Sequence, residues 1–156
     1  MRITTKGRYA LRAMANLAAT SQGKPKPIKT IAKEEEISPE FLEQIFFKLK
    51  KAGVIESVRG PGGGFIFHRD PAGITIKEIF LAVEEGLDLT PCTVCAVQAG
   101  EEPCVRIEEC IVHAIWKDIS DHVVSYLDGI TLAAVLERNK DKINRLLERT
   151  GQARAD

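Results

Sequence analysis

Apolar residues change their spacing several times along this chain. Within residues 9–19, Ala10, Met14, Leu17 and Ala18 fall near helical spacing, and the glycine, lysines and prolines of 23–27 end that helix. A shorter helical piece is predicted over 28–36. Ser38 before Pro39 is the order of an N-cap and a first helical residue, and from there Leu42, Ile45, Phe46 and Leu49 repeat at i, i+3, i+4 and i+7. Phe41 stands where a full capping box would need glutamate, so the start is a simple cap. Lys50, Lys51 and Gly53 close this helix, because cations and glycine suit that end.

Positions 54–58 and 65–67 are β-prone and flank Arg59-Gly60-Pro61-Gly62-Gly63-Gly64, a connection too long for a two-residue hairpin turn. Three short helices followed by a ribbon is the order of a winged helix-turn-helix, with 38–52 in the recognition position. A further helix is expected over 74–83, with Ile76, Ile79, Phe80 and Val83 on one side, whereas 86–109 lacks periodicity. Over 111–127, Val112, Ile115, Trp116, Ile119, Val123 and Tyr126 or Leu127 form one continuous apolar stripe. A stripe of that length beside a small domain calls for a partner surface, so the helix reads as a dimer helix; packing on its own core is the alternative. Residues 130–137 add a turn or two, and 145–156 read as a frayed tail.

The predicted fold is therefore mostly α with a small two-stranded β wing, a winged helix-turn-helix domain plus a long dimerisation helix. The expected divisions are 1–85 for the DNA-binding domain and 86–110 for a metal-binding or cluster-binding loop. The dimerisation helix and a C-terminal extension follow over 111–140, with a flexible tail over 141–156.

Composition adds that the chain is globular: 44% of its 156 residues are hydrophobic and 28% charged. No apolar run approaches the roughly 20 residues that span a bilayer, and no export signal opens the chain. The expectation is a cytoplasmic protein with no membrane partner, in a compartment where thiols stay reduced. The net charge of zero conceals an asymmetry, since residues 1–70 carry 13 Lys/Arg against 7 Asp/Glu while the remainder is acidic. The basic front half is the part suited to nucleic acid.

A recognition helix presents to the major groove the face opposite its core stripe, here Glu40, Glu43, Gln44, Phe47, Lys48 and Lys51. Gln44 pairs bidentately with adenine, Lys48 and Lys51 suit phosphates, and Glu43 and Glu40 either accept from cytosine or exclude wrong sequences. At the ribbon tip, Arg59 stands on a backbone almost free of side chains, at Gly60, Gly62 and Gly63, a shape that follows the minor groove. A nucleotide-phosphate loop is disfavoured, because the run lacks the Lys-Ser/Thr ending and joins two strands. Arg2, Lys6, Arg8 and Arg12 near the start would add backbone contacts.

All four cysteines and one histidine, Cys92, Cys95, Cys104, Cys110 and His113, fall within twenty-two residues. Clustered soft ligands in a reducing compartment indicate a metal centre rather than disulfides. The spacing, C-x2-C, eight residues, then C-x5-C-x2-H, is irregular for a zinc knuckle and favours a larger iron–sulfur object, with zinc the alternative. Five candidates for four ligand places leave the set open. Cys110 and His113, three apart at a helix start, can face one site, and Cys92 and Cys95 compete for what remains.

Three further segments carry a resemblance: Thr5-Lys6-Gly7-Arg8-Tyr9-Ala10, Leu42-Glu43-Gln44, and the wing Val58-Arg59-Gly60-Pro61-Gly62-Gly63-Gly64. With them the chain resembles the Rrf2 family of bacterial transcription regulators over about residues 1–137. Cys104, Cys110, His113-Ala114-Ile115-Trp116 and Ile130-Thr131-Leu132 look most like its iron–sulfur cluster regulator branch. The resemblance implies a homodimer on a palindromic operator, with a 2Fe–2S cluster on Cys92, Cys104, Cys110 and His113, and DNA contacts at Gln44 and Arg59 and near Ser38 and Glu40. The longer loop with its additional Cys95 departs from the branch and leaves an all-cysteine 4Fe–4S site open. Glu40 stands where small hydroxyl residues are common, which bears on the preferred operator. The family also holds nitric-oxide sensors, iron-responsive repressors and a cluster-free regulator of cysteine metabolism. An enzyme is not expected: only Cys110 and His113 pair a thiol with a base, and no substrate-binding motif is present.

Overall fold

A computed structural model of the chain describes residues 3–93 and 104–151. Among these residues it has seven α-helices and one antiparallel two-stranded sheet, so the mostly helical winged fold is as expected. Helix α1, Thr5–Thr20, starts earlier than the apolar repeat suggests because Thr4 caps it, its hydroxyl accepting from the Gly7 amide at 3.3 Å. Its buried face carries Ala10, Ala13, Met14 and Leu17. Helix α2, Ile28–Glu35, stops where Glu36 turns left-handed and its amide closes onto the Ala32 and Lys33 carbonyls. Helix α3, Pro39–Lys51, begins with the Ser38 hydroxyl accepting from the Phe41 amide at 3.2 Å. Leu42, Ile45, Phe46 and Leu49 are its buried stripe.

Strands β1, Ile55–Val58, and β2, Gly64–Phe67, pair in the register Ile55 to Phe67 and Val58 to Gly64. The ribbon does not stand alone. Lys26, between α1 and α2, exchanges both backbone hydrogen bonds with Phe65 at 2.9 Å, adding one residue of a third strand. Phe65 also meets Phe46 of α3 edge to face, with ring centroids 4.9 Å apart, so the wing is seated on α3.

A 3-10 turn, Pro71–Gly73, leads to α4, Ile76–Ala82, opened by a full capping box between Thr75 and Glu78. After the cysteine region come α5, His113–Asp128, then α6, Leu132–Glu137, and α7, Lys140–Arg149. Helix α5 thus starts two residues later than the apolar stripe suggests.

The segment after α5 returns to the first unit. The Ile76 amide donates to the Ile130 carbonyl at 2.9 Å, the Leu132 amide to the Ile74 carbonyl at 2.8 Å, and Leu132 is fully buried in the same core as α1, α3 and α4. The extension expected over 130–137 is therefore part of the DNA-binding domain's core. The span expected as a tail, 141–156, contains most of α7. Through Arg149 the chain is helical, Leu147 is buried, and the Arg149 guanidinium donates to the Glu34 carbonyl at 3.0 Å. Helix α7 looked frayed because its polar residues outnumber its apolar ones, yet its few apolar positions share one face.

Candidate nucleic-acid interface and metal centre

The reading face of α3 is exposed as its spacing requires. Glu40, Glu43, Gln44 and Phe47 line a shallow open depression together with Lys48. Phe47 is 69% exposed, an apolar side chain with no core role. The helix is held from behind: Tyr9 of α1 packs edge to face on Phe41 at 5.9 Å, and the Arg12 guanidinium lies 5.4 Å over the Tyr9 ring. Arg12 is also bonded to Glu35, at 3.0 Å to its carboxylate and 2.6 Å to its carbonyl. Of the cations expected on phosphates, Arg12 is therefore committed to the protein, whereas Arg8 and Lys51 are exposed and Lys6 is half-buried. Arg2 lies outside the described residues.

At the wing tip Arg59, Gly60, Pro61 and Gly62 are exposed, and Gly60 and Gly62 take left-handed backbone at φ 102 and 76. Gly63 has a different reason to be glycine, since a Cβ there would overlap the Val58 carbonyl. Gly64 at the base is tighter still: a Cβ would overlap the Lys26 carbonyl across the added strand pair. Beneath it the Lys26 ammonium is buried. It donates to Asn16 at 3.1 Å, to the Thr20 hydroxyl at 2.6 Å and to the Glu34 carboxylate at 2.5 Å. A buried charge persists when it is paired and hydrogen-bonded, and here that pairing anchors the wing to α1 and α2.

Lys48 departs from the expected free phosphate contact, since its ammonium pairs with the Glu84 carboxylate. Glu84 and Glu85 follow α4 and precede the cysteine region. Glu85 is buried under the start of α1, accepting from the Thr4 amide at 2.7 Å and from the Thr4 hydroxyl. A Cβ at Gly7 would sit 2.6 Å from that carboxylate, which accounts for a glycine inside a helix. Sequence reasoning missed Lys26, Glu84 and Glu85. The helical Gly7 is the one local signal of a close neighbour; nothing local names the partner.

Helix α5 has two faces. Ser120, Val124 and Leu127 turn toward the domain, while Ile115, Trp116, Ile119 and Tyr126 remain exposed, as do Ile111 and Val112 just before it. Tyr126, not Leu127, thus completes the outward stripe. No helix among the described residues is long and apolar enough to cross a membrane.

Cys92 sits in a short turn, Pro91–Thr93, that packs against α5, with its sulfur 3.1 Å from the Thr90 hydroxyl. Cys104 and Cys110 are half-buried, and the His113 amide donates to the Cys110 carbonyl at 3.1 Å, so Cys110 lies one turn before the helix rather than on it. Among the described residues no three ligand-type side chains are gathered into a metal-holding group, and Cys95 lies outside those residues. Ligands of this kind draw together around the cation that neutralises them. One atom fits a missing ligand bond: His113 Nδ1 is buried and has no hydrogen-bond partner among the described residues.

Comparison with known proteins follows the same lines. The family model described as Rrf2, an iron-dependent transcriptional regulator, matches residues 3–138. The chain is 38% identical to the HTH-type transcriptional regulator IscR of Yersinia enterocolitica, across 99% of this chain and 93% of that protein. Its identity to IscR of Escherichia coli is 39%, across 90% and 83%. Among solved structures it is similar to CymR, the global cysteine regulator of B. subtilis, with 33% identity, TM-score 0.68 and coverage of 88% and 98%. It is also similar to IscR of T. potens, with 27% identity, TM-score 0.70 and coverage of 91% and 90%.

Proposed function

The chain belongs to the Rrf2 family of transcriptional regulators, and from that premise we propose that it is a homodimeric DNA-binding regulator whose operator affinity depends on an iron–sulfur cluster. In this reading two α3 helices enter successive major grooves of a palindrome, since two-fold symmetry in the protein demands it in the site. Gln44 reads adenine, Phe47 offers an apolar contact to a thymine methyl, and Glu40 and Glu43 penalise unsuitable bases. Arg59 enters the flanking minor groove on the glycine backbone of the wing. The exposed stripe of α5 pairs the two subunits.

Cys92, Cys104, Cys110 and His113 would hold the cluster, a 2Fe–2S centre by this donor set, with Cys95 the alternative ligand toward a 4Fe–4S site. When bound, the group supplies a redox- and supply-sensitive electron store. The protein's own contribution is mechanical: His113 opens α5, so whatever holds its ring orients the first turn of the dimer helix. The buried Nδ1 at that position, without a partner among the described residues, carries the reading, because a buried acceptor or donor left unpaired is costly and a metal bond removes that cost.

Anaerobic purification with visible spectroscopy and iron and sulfide assays tests the reading. The parent is expected to be coloured and to contain both elements, and His113→Ala and Cys104→Ala to lose them. The triple variant Cys92→Ala, Cys104→Ala, Cys110→Ala should change operator affinity by about 5- to 150-fold, the usual range of coupling between sites. Colourless parent protein holding zinc would sink the cluster. A triple variant that binds every operator as the loaded parent does would sink the sensing.

A further inference from the structure

On the exposed face of α3 one cation, Lys48, is already paired with a carboxylate, that of Glu84. The Lys48 ammonium pairs with Glu84, Lys6 reaches the Glu84 carbonyl at 3.5 Å, and the charges of Lys6 and Lys51 both favour the ionised form of the Glu84 side chain. The hydrogen bond from Lys48 does most to hold that carboxyl below the usual glutamate range. An anion paired with Lys48 beside the exposed face of α3 stands where a phosphate would be held.

The position is imposed on Glu84 by its surroundings. Its backbone is left-handed, at φ 57, a conformation that side-chain-bearing residues seldom adopt. Its amide donates to the Leu81 carbonyl at 3.0 Å, and the next residue, Glu85, is locked under Thr4. The carboxylate itself is 72% exposed, so no burial requirement explains an acid there.

We propose that Glu84 is an affinity-setting residue, a built-in anion that occupies the phosphate site of Lys48 and must leave before the DNA backbone can seat there. The inference deepens the DNA-binding reading and rests on it. Its consequence is that the chain binds every duplex more weakly than its lysines alone would allow, and by the same factor whatever the sequence.

The test compares the full-length parent with Glu84→Gln, using fluorescence anisotropy on a mixed-sequence DNA duplex between about 50 and 200 mM salt. Two exposed pairs removed per dimer should raise affinity about 2- to 30-fold. The slope of log affinity against log salt should steepen by about 2, one counterion per restored lysine. A stabilising or destabilising effect on the fold would leave that slope unchanged. In Glu84→Gln/Lys48→Gln the gain should vanish. Unchanged affinity and slope in Glu84→Gln, with the parent binding normally, would overturn this inference alone. A parent that binds no duplex would overturn the DNA-binding reading and this inference together.

Discussion

Gly64 and Gly62 sit two residues apart in the wing and are glycines for different reasons. Gly62 faces open space and needs only its left-handed backbone, so Gly62→Ala should cost about 1 kcal/mol. At Gly64 a methyl group would drive the ribbon away from Lys26, breaking the two 2.9 Å hydrogen bonds that seat the wing. Gly64→Ala should therefore cost about 2–3 kcal/mol, measured as a shift in denaturant midpoint. Equal costs at the two positions would mean that the added strand at Lys26 does not hold the wing. The motif is legible in sequence as a flexible basic tip, but its base is set by Lys26, thirty-eight residues earlier.

Helix α4 is short, and a capping box opens it beside its buried Ile76, Ile79 and Phe80. The Thr75 hydroxyl accepts from the Glu78 amide at 3.1 Å, and the Glu78 carboxylate accepts from the Thr75 amide at 2.9 Å and from Arg69 at 2.5 Å. Burial opposes ionisation of Glu78, but the Thr75 amide and the Arg69 guanidinium outweigh it and leave its carboxyl below the ordinary glutamate range. A lowered folded-state value means that this contribution is present above the unfolded glutamate range and disappears as pH falls through the lower folded value. Glu78→Gln should cost about 0.5 kcal/mol near neutral pH, with a smaller cost in strong acid. Chemical denaturation at both pH values checks this; a pH-independent cost would show that the box is not a carboxylate device. Helices with a clear apolar repeat, α1 and α3, are legible from sequence to within a few residues. Helix α7 is not, because a charged sequence becomes a buried helix only when a neighbour supplies the surface for Leu147.

For the whole molecule, the decisive feature is that α5 points its larger apolar residues outward. Ile115, Trp116, Ile119 and Tyr126 are exposed, a patch that isolated proteins seldom present. In the proposed homodimer this stripe is the interface, so Ile119→Asp should give a monomer in sedimentation with little change in helix content, because the core-facing side of α5 is Ser120, Val124 and Leu127. Persistence of the dimer would move the interface elsewhere.

Spacing and composition alone determined the winged helical fold, the exposed face of α3, the wing and the concentration of soft ligands. These are local properties: a periodic stripe chooses its buried face, and a glycine run chooses its backbone, wherever the rest of the chain goes. Only tertiary structure decided that Leu132 closes the core of a domain begun at Thr5, that Lys26 seats the wing, and that Lys48 and Glu84 are partners. Each joins residues distant in sequence, where the pairing energy depends on what the fold has brought within reach and leaves no periodic trace to read.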